Sequence, residues 1–206
     1  MKYTLLLALP ALIAAPLLMN NASTGATAPA IAPSSALKPA TFQIDTSHSW
    51  ILFKVNHLGI GTAWGSFNKF EGSFMLDSED AANNSVSLTI DPSSVDTNDK
   101  KRDDHMKGPD FFNAKEFPTV TFNSTKVSGD GDTFKVTGTL AMLGKEKEIV
   151  VTMSKVGEGE DPWGNYRAGF EGSFIIDRTE FGMDYLKEGG LGKQVTMTLA
   201  FEGVRE

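Results

Sequence analysis

From Thr41 to the C-terminus, apolar and polar residues alternate with a period of two, in runs separated by clusters of Gly, Asn and Asp. Successive side chains of a strand point to opposite faces, so this pattern predicts half-buried antiparallel strands. Ile51, Phe53, Val55 and His57 share one face of the first long run. Phe70, Phe74 and Leu76 do so in the next, with Gly72 between them; Val86, Leu88 and Ile90 mark a third, ended by Asp91-Pro92, and Val120 with Phe122 a fourth. The second half repeats the habit with Phe134, Val136, Leu140 and Met142, then Ile149, Val151 and Met153, then Ala168, Phe170, Phe174 and Ile176, and finally Val195, Met197, Leu199 and Phe201. Eight strands are predicted, each with a wet face of Thr, Ser, Lys and Glu. Closing them into a barrel buries all the apolar faces and leaves no edge. The expected fold class is therefore all-β, an eight-stranded antiparallel barrel with one short helical insertion.

The helix is predicted between Thr97 or Asn98 as its cap, with Asp99 in the first turn, and a stop at Gly108-Pro109. The whole insertion, from about Ser93 to Pro118, is long for a hairpin connection and reads as a segment that caps or gates something. The N-terminal end differs from the rest. Lys2 precedes an apolar run from Leu5 to Leu18 broken by Pro10 and Pro16, too short and kinked to span a bilayer comfortably. Residues 1–22 are read as a signal peptide, with an uncleaved anchor as the competing reading; Ala22 and Ala28 are both candidate cleavage points. Residues 23–40, rich in Ala, Pro, Ser and Thr, form an expected disordered linker. The barrel domain is assigned to residues 41–206.

Composition narrows the function classes. With no cysteine, disulfides, thiolate metal sites and lipid-modified cysteine anchors are excluded. A net charge of −7 argues against nucleic acid and anionic lipid surfaces as partners. The three histidines, His48, His57 and His105, show no metal-ligand spacing, so no metal is expected. Gly59, Gly61 and Gly65 resemble a dinucleotide fingerprint at a glance, but a strand follows the last of them, and the segment Gly59–Gly65 is read as a turn. Lys100, Lys101 and Arg102 are flanked by Asp99, Asp103 and Asp104 and read as a solvated helix face. Asp177 and Arg178 close a strand of Phe and Ile just before a Gly-rich loop, in the manner of a rim salt bridge or cap.

The inward faces define the candidate binding residues: Phe53, Val55, His57, Phe70, Phe74, Leu88, Phe122, Val136, Leu140, Met142, Met153, Phe170, Gly172, Phe174, Met197 and Leu199. Gly72, Gly138 and Gly172 alternate with bulky residues on this face and are expected to leave width there, since glycine in a strand costs stability without a reason of that kind. Phe70-Glu71-Gly72-Ser73-Phe74 recurs as Phe170-Glu171-Gly172-Ser173-Phe174, through shared steric demands on strands of one barrel or through an old duplication.

These motifs together give the chain a family resemblance. Asp45-Thr46-Ser47-His48-Ser49, Phe53-x-Val55-x-His57, Gly65 to Gly72, Asp110-Phe111-Phe112, Phe117-Pro118 to Ser124, Gly138 to Gly144 and Arg178-Thr179-Glu180-Phe181-Gly182 resemble the YceI-like polyisoprenoid-binding family, from about Phe42 to the C-terminus. Leu140-Ala141 and Glu148-Ile149 depart from the Leu-Thr and Pro-Val pairs usual there. The resemblance implies an extended lipocalin-like barrel, export to the periplasm, and a long isoprenoid amphiphile such as a quinone or its precursor in the lumen. It implies no catalytic residue and no cofactor. A homodimer and transient contact with a membrane or membrane protein are compatible with it.

Two other classes compete with a carrier. An enzyme on the same amphiphile would use His57 or His105 as general base with Asp177 assisting, and would bring titratable groups together inside the pocket. An outer-membrane barrel would turn its apolar faces outward.

Overall fold

The structure, a computed structural model, describes residues 39–206. The expected signal peptide and all but the last two residues of the expected linker lie outside the described residues. The strands are β1 (Ala40–Ile44), β2 (Trp50–His57), β3 (Gly61–Phe67), β4 (Phe70–Leu76), β5 (Ser85–Ile90), β6 (Val95–Asp96), β7 (Val120–Asp130), β8 (Thr133–Met142), β9 (Lys145–Glu160), β10 (Tyr166–Asp177) and β11 (Leu191–Arg205). All pairings are antiparallel, and a further pairing of β1 with β11 closes the sheet.

The barrel has eight strands because three of them are broken. β1 and β2 both pair with β11, Ile44 opposite Gly203 and Trp50 opposite Ala200, and so form one bent strand. β3 and β4 form the next, pairing with β2 and β1 respectively, and β6 and β5 follow against them. The breaks fall side by side at residues 45–49, 68–69 and 91–94, and polar side chains satisfy the backbone there. Ser94 Oγ accepts from the Lys69 amide at 2.9 Å, Asn68 donates to Asp96 at 3.1 Å, and Asp91 caps the 3-10 turn Pro92–Ser94 by accepting from the Ser93 amide at 2.8 Å.

Two elements differ from the expected pattern. β3 is a strand where the sequence reads as a turn; the turn itself is only Leu58, Gly59 and Ile60, the first two in the left-handed region, with φ of 57° and 67°. Two of β3's three inward positions, Ala63 and Gly65, are small, so the alternation that reveals the other strands is faint. A Cβ on Gly65 would lie 2.3 Å from the Phe53 ring, which occupies that space. The helix α1 (Lys100–Met106) is capped by Asp99, not by Thr97 or Asn98: Asp99 accepts from the Arg102 amide at 2.8 Å. Thr97 instead gives both its amide and its hydroxyl to Asp103, at 2.8 and 2.5 Å, fastening the segment before the helix to its first turn.

Apolar residues point inward on every long strand, and Lys135, Lys145, Glu146 and Glu148 are exposed outside. This inward orientation is the reverse of what an outer-membrane barrel requires. At the end holding β1 and the C-terminus, Phe42 is fully buried, stacked on Phe74 at 5.1 Å, and Phe74 meets Phe170 edge-on at 5.3 Å. Outside this plug, Arg167 on β10 draws together β11, the break after β1 and the turn after β9, donating to Glu202 at 2.6 Å, Asp45 at 2.8 Å and Asp161 at 2.7 Å.

This cluster fixes the sign of an acid response. Hydrogen bonds from Ser47, then Arg167 and His48, hold the Asp45 carboxyl well below the usual carboxylate range, and Arg167 followed by Asn165 does the same for Asp161. The folded chain therefore binds fewer protons than the unfolded chain near their ordinary value of about 3.9, and the stabilisation is complete above that pH and lost as pH falls toward the folded values. Melting temperature should decline below about pH 4 by this route. Arg167→Met should lower it at neutral pH and flatten the decline, which thermal melts across a pH series would measure.

Candidate functional site

A cavity of about 170 Å³ runs inside the barrel. That is many times the roughly 10–15 Å³ that admits one water. Leu191 and Phe201 line it from the two ends of β11, which at about 3.3 Å per residue and a tilt of about 40° corresponds to roughly 25 Å of barrel axis. Among its lining residues only Asn84, Ser85 and Arg178 carry polar side chains, and only Arg178 is charged.

Each wall follows from strand periodicity. β2 contributes Ile51, Phe53 and Val55, β8 contributes Phe134, Val136, Leu140 and Met142, and β11 contributes Val195, Met197, Leu199 and Phe201. The insertion completes the end opposite the plug by laying Met106, Phe111 and Phe112 over it. Phe112 meets Phe67 edge-on at 5.3 Å, and Phe111 packs on Tyr185 at 5.3 Å, so the insertion is fastened both to β3 and to the loop between β10 and β11. Ladder pairing is incomplete in two places: β5 meets β7 only from Ser87 to Ile90, and β9 meets β10 only as far as Thr152 opposite Ser173. Beside the first of these, the lining residues Met75 and Ser85 are exposed.

Of the candidate binding residues, Phe53, Val55, Phe74, Leu88, Phe122, Val136, Leu140, Met142, Met153, Phe170, Phe174, Met197 and Leu199 all lie on the cavity wall. His57, Phe70 and Gly172 do not. His57 is exposed at the end of β2, where the alternation runs past the rim. Phe70 follows the break at 68–69, is half-buried, and packs its ring on Phe201 with centroids 6.3 Å apart.

Gly172 corrects the reading of the inward glycines. They make no width in the lumen, because a neighbour fills the space above each. A Cβ at Gly172 would lie 2.3 Å from Met153 Sδ and 2.5 Å from the Thr152 carbonyl oxygen; at Gly138 it would lie 2.5 Å from both the Phe122 ring and the Asn123 carbonyl; at Gly72, 2.3 Å from the Ser87 carbonyl. These glycines let adjacent strands cross closely while a large side chain from the neighbour lies over the backbone.

The residues weighed for acid–base chemistry stay apart. His105 bonds Asp110 at 2.8 Å and sits edge-on to Phe111 and Tyr185. Asp177 accepts from the Thr179 amide and hydroxyl at 2.9 and 2.6 Å, which caps the 3-10 turn Arg178–Phe181. Neither these nor His57 lines the cavity. Asp45, His48 and Glu202 bring their donor atoms within 4.8 Å of one another, the one such cluster among the described residues. Arg167 already supplies the positive charge there, bonded to both carboxylates.

The wall also holds residues that the alternation does not mark. Phe67, Met106, Phe111, Phe112 and Met183 come from β3, the insertion and the final loop, where no long alternation marks them. Arg178 did carry a signal: the inward series Ala168, Phe170, Phe174, Ile176 reaches it when extended by one more step.

A closed antiparallel barrel around a long apolar cavity defines a lipocalin-like barrel. The chain belongs to the YceI-like family, whose domain matches residues 42–203. A UPF0312 protein of Pseudomonas aeruginosa is 40% identical over 169 residues, covering 81% of this chain and 88% of that protein. One from Pectobacterium atrosepticum is 38% identical over 165 residues, covering 80% and 85%. Among solved structures, BcnA of Burkholderia cenocepacia superposes with a TM-score of 0.70 at 26% identity, covering 77% of this chain and 98% of that one. A polyisoprenoid-binding domain from Saccharophagus degradans shares the fold, with a TM-score of 0.61 at 15% identity, covering 82% of this chain and 100% of that domain.

Close crossing makes the glycines sensitive to a single methyl group. Gly138→Ala and Gly172→Ala should each destabilise by about 1–3 kcal/mol, the usual range for overpacking. Gly157→Ala, where an added Cβ meets nothing within 4 Å, should be near neutral. Urea unfolding of the three variants checks the contrast.

Proposed function

We propose that the protein is a binding or carrier protein that holds a long-chain isoprenoid amphiphile, such as a quinone or its precursor, in the barrel lumen. One observation carries this reading: the cavity is long, and its wall is apolar except for Asn84, Ser85 and Arg178. Water in such a space would find few hydrogen-bond partners, while an apolar chain would gain contact along its whole length. Phe and Met dominate much of the wall, and Met in particular can repack around a flexible tail. The Saccharophagus degradans domain described as polyisoprenoid-binding has the same fold, which is compatible with this ligand class.

Carriage is favoured over catalysis because a reaction would need a base beside an acid or nucleophile within the cavity. The cavity wall offers one titratable side chain, Arg178, which is a poor proton acceptor at any ordinary pH. The N-terminal Lys2 and apolar run Leu5–Leu18 support export to the periplasm, where a carrier would move or shelter its ligand between membranes.

The native mass of detergent-free purified protein should exceed that of the polypeptide, and organic extraction should release a long-chain lipid. A well-folded protein that yields no lipid and binds no polyprenyl compound in titration would overturn the reading. Leu199→Trp, which thickens the wall one inward position short of Phe201, should lower polyprenyl affinity at least tenfold while melting as cooperatively as the wild type. His57→Ala and His105→Ala should leave affinity unchanged. Turnover of a prenyl substrate lost on either histidine substitution would instead favour an enzyme.

A further inference from the structure

The cavity wall contains one feature that a purely apolar ligand does not explain. Arg178 is 2% exposed, the most deeply buried charged residue among those described, and its side chain forms part of the wall at the end capped by the insertion. Its guanidinium touches no carboxylate among the described residues. Nε donates to the Gly192 carbonyl at 2.8 Å, Nη2 to the Leu191 carbonyl at 2.9 Å, and Nη1 to the Met183 carbonyl. Asp177, its neighbour in sequence, is turned away to cap Thr179, and Asp184 acts on Arg178 only at a distance.

A guanidinium has five N–H donors. Three carbonyls take three of them, leaving one on each Nη, in a medium where an uncompensated cation is costly. Neutral carbonyls orient the group and satisfy part of it, but they bring no countercharge. Burial accordingly disfavours the charged form of Arg178, against the opposing pull of Asp177 and Asp184. The other two polar wall residues, Asn84 and Ser85, are neutral and lie near the start of β5, toward the opposite end of the cavity.

We propose that Arg178 is the head-group subsite of the lumen: it binds an oxygen acceptor on the ligand, a carbonyl, phenolic or phosphate oxygen, so that the amphiphile lies head toward the insertion and tail toward Phe74. The ligand oxygen takes the place that an internal carboxylate would otherwise fill, and the three carbonyls hold the guanidinium ready before it arrives. Selection then falls on the head: an isoprenoid hydrocarbon of the same length gains the wall contacts but leaves Arg178 as it was. This rests on the lipid-binding reading above, and deepens it by naming the chemistry of the polar end.

The test uses delipidated wild-type protein and four probes with one tail length: a polyprenyl hydrocarbon, the alcohol, a polyprenyl quinone and the polyprenyl phosphate. A hydrogen bond to a charged group corresponds to about 10- to 100-fold in affinity, so the quinone and the phosphate should bind tighter than the hydrocarbon by that factor. A quinone advantage without a phosphate advantage assigns a neutral carbonyl head, and the reverse assigns an anion; either supports the subsite. Arginine-detected NMR provides a readout that needs no substitution: the buried Arg178 side-chain resonance should shift with quinone or phosphate and stay in place with hydrocarbon. Arg178→Lys, which keeps the charge and loses the fork, should erase most of the head-group preference if it folds. Equal binding of all four probes with an unmoved Arg178 resonance would overturn the subsite and leave lipid carriage standing. Failure of every probe to bind would overturn the carrier reading and the subsite with it.

Discussion

Closure by β11 is the constraint on which the rest of the structure depends. This strand pairs with β10 along most of its length, with β2 through its first part and with β1 through its last. It therefore joins the two halves of the bent first strand and shuts the sheet with the same residues. An open sheet of this width would expose two edges and an apolar face with nothing to cover it. Once closed, the inner faces have no partner layer, and what fills the interior is decided by side-chain volume alone. Eight strands lie at the boundary where side chains either fill a barrel or leave room for one ligand.

The side chains here divide the interior by region. At the end beside the Arg167 cluster, Phe42, Phe74, Phe134 and Phe170 stack and cross edge-on to form a plug. Along the middle, Val, Leu and Met line a tube that they do not fill. The glycines belong to the wall's construction: the missing Cβ leaves room for the Phe122 ring at Gly138, for Met153 at Gly172 and for the Ser87 carbonyl at Gly72. An open apolar lumen thus arises from the placement of the large residues, with glycine serving the backbone beneath them.

Much of this was legible in the alternation. Long strands such as β8, with its regular inward Phe134, Val136, Leu140 and Met142, announce both their direction and their inner face. The eight-strand count was also legible, though not which segments compose it. β3 escaped because Ala63 and Gly65 are small where a large neighbour, Phe53, fills the space, so apolar periodicity vanishes where packing is tightest. Period two also overruns real boundaries: it carried His57 inward although the chain had reached the rim, and it carried Phe70 to the lumen although that ring, just past the break beside Lys69, packs on Phe201 and is not among the residues that line the cavity. The cap residues Met106, Phe111 and Phe112 lie in a segment whose burial depends on docking against β3 and the last loop, and no local pattern encodes a docking partner.

Two arginines show how the same side chain is handled outside the plug and on the cavity wall. Arg167 stands outside the plug, and Asp45, Asp161 and Glu202 each give it a carboxylate, so its charge is neutralised by the chain itself and its geometry needs nothing further. Arg178 stands on the cavity wall and receives three backbone carbonyls instead, which fix its orientation while leaving its charge uncompensated in contact. Placing Asp177 within reach would have cost nothing in sequence, since it is the adjacent residue; its carboxylate is spent on the cap of the turn that carries Arg178. Burying a cation with no contacting countercharge costs more than burying one in an ion pair of good geometry. The arrangement at the head of the lumen is therefore poorly explained as a fastening for the loop alone, and better explained by a polar group that arrives from inside the barrel.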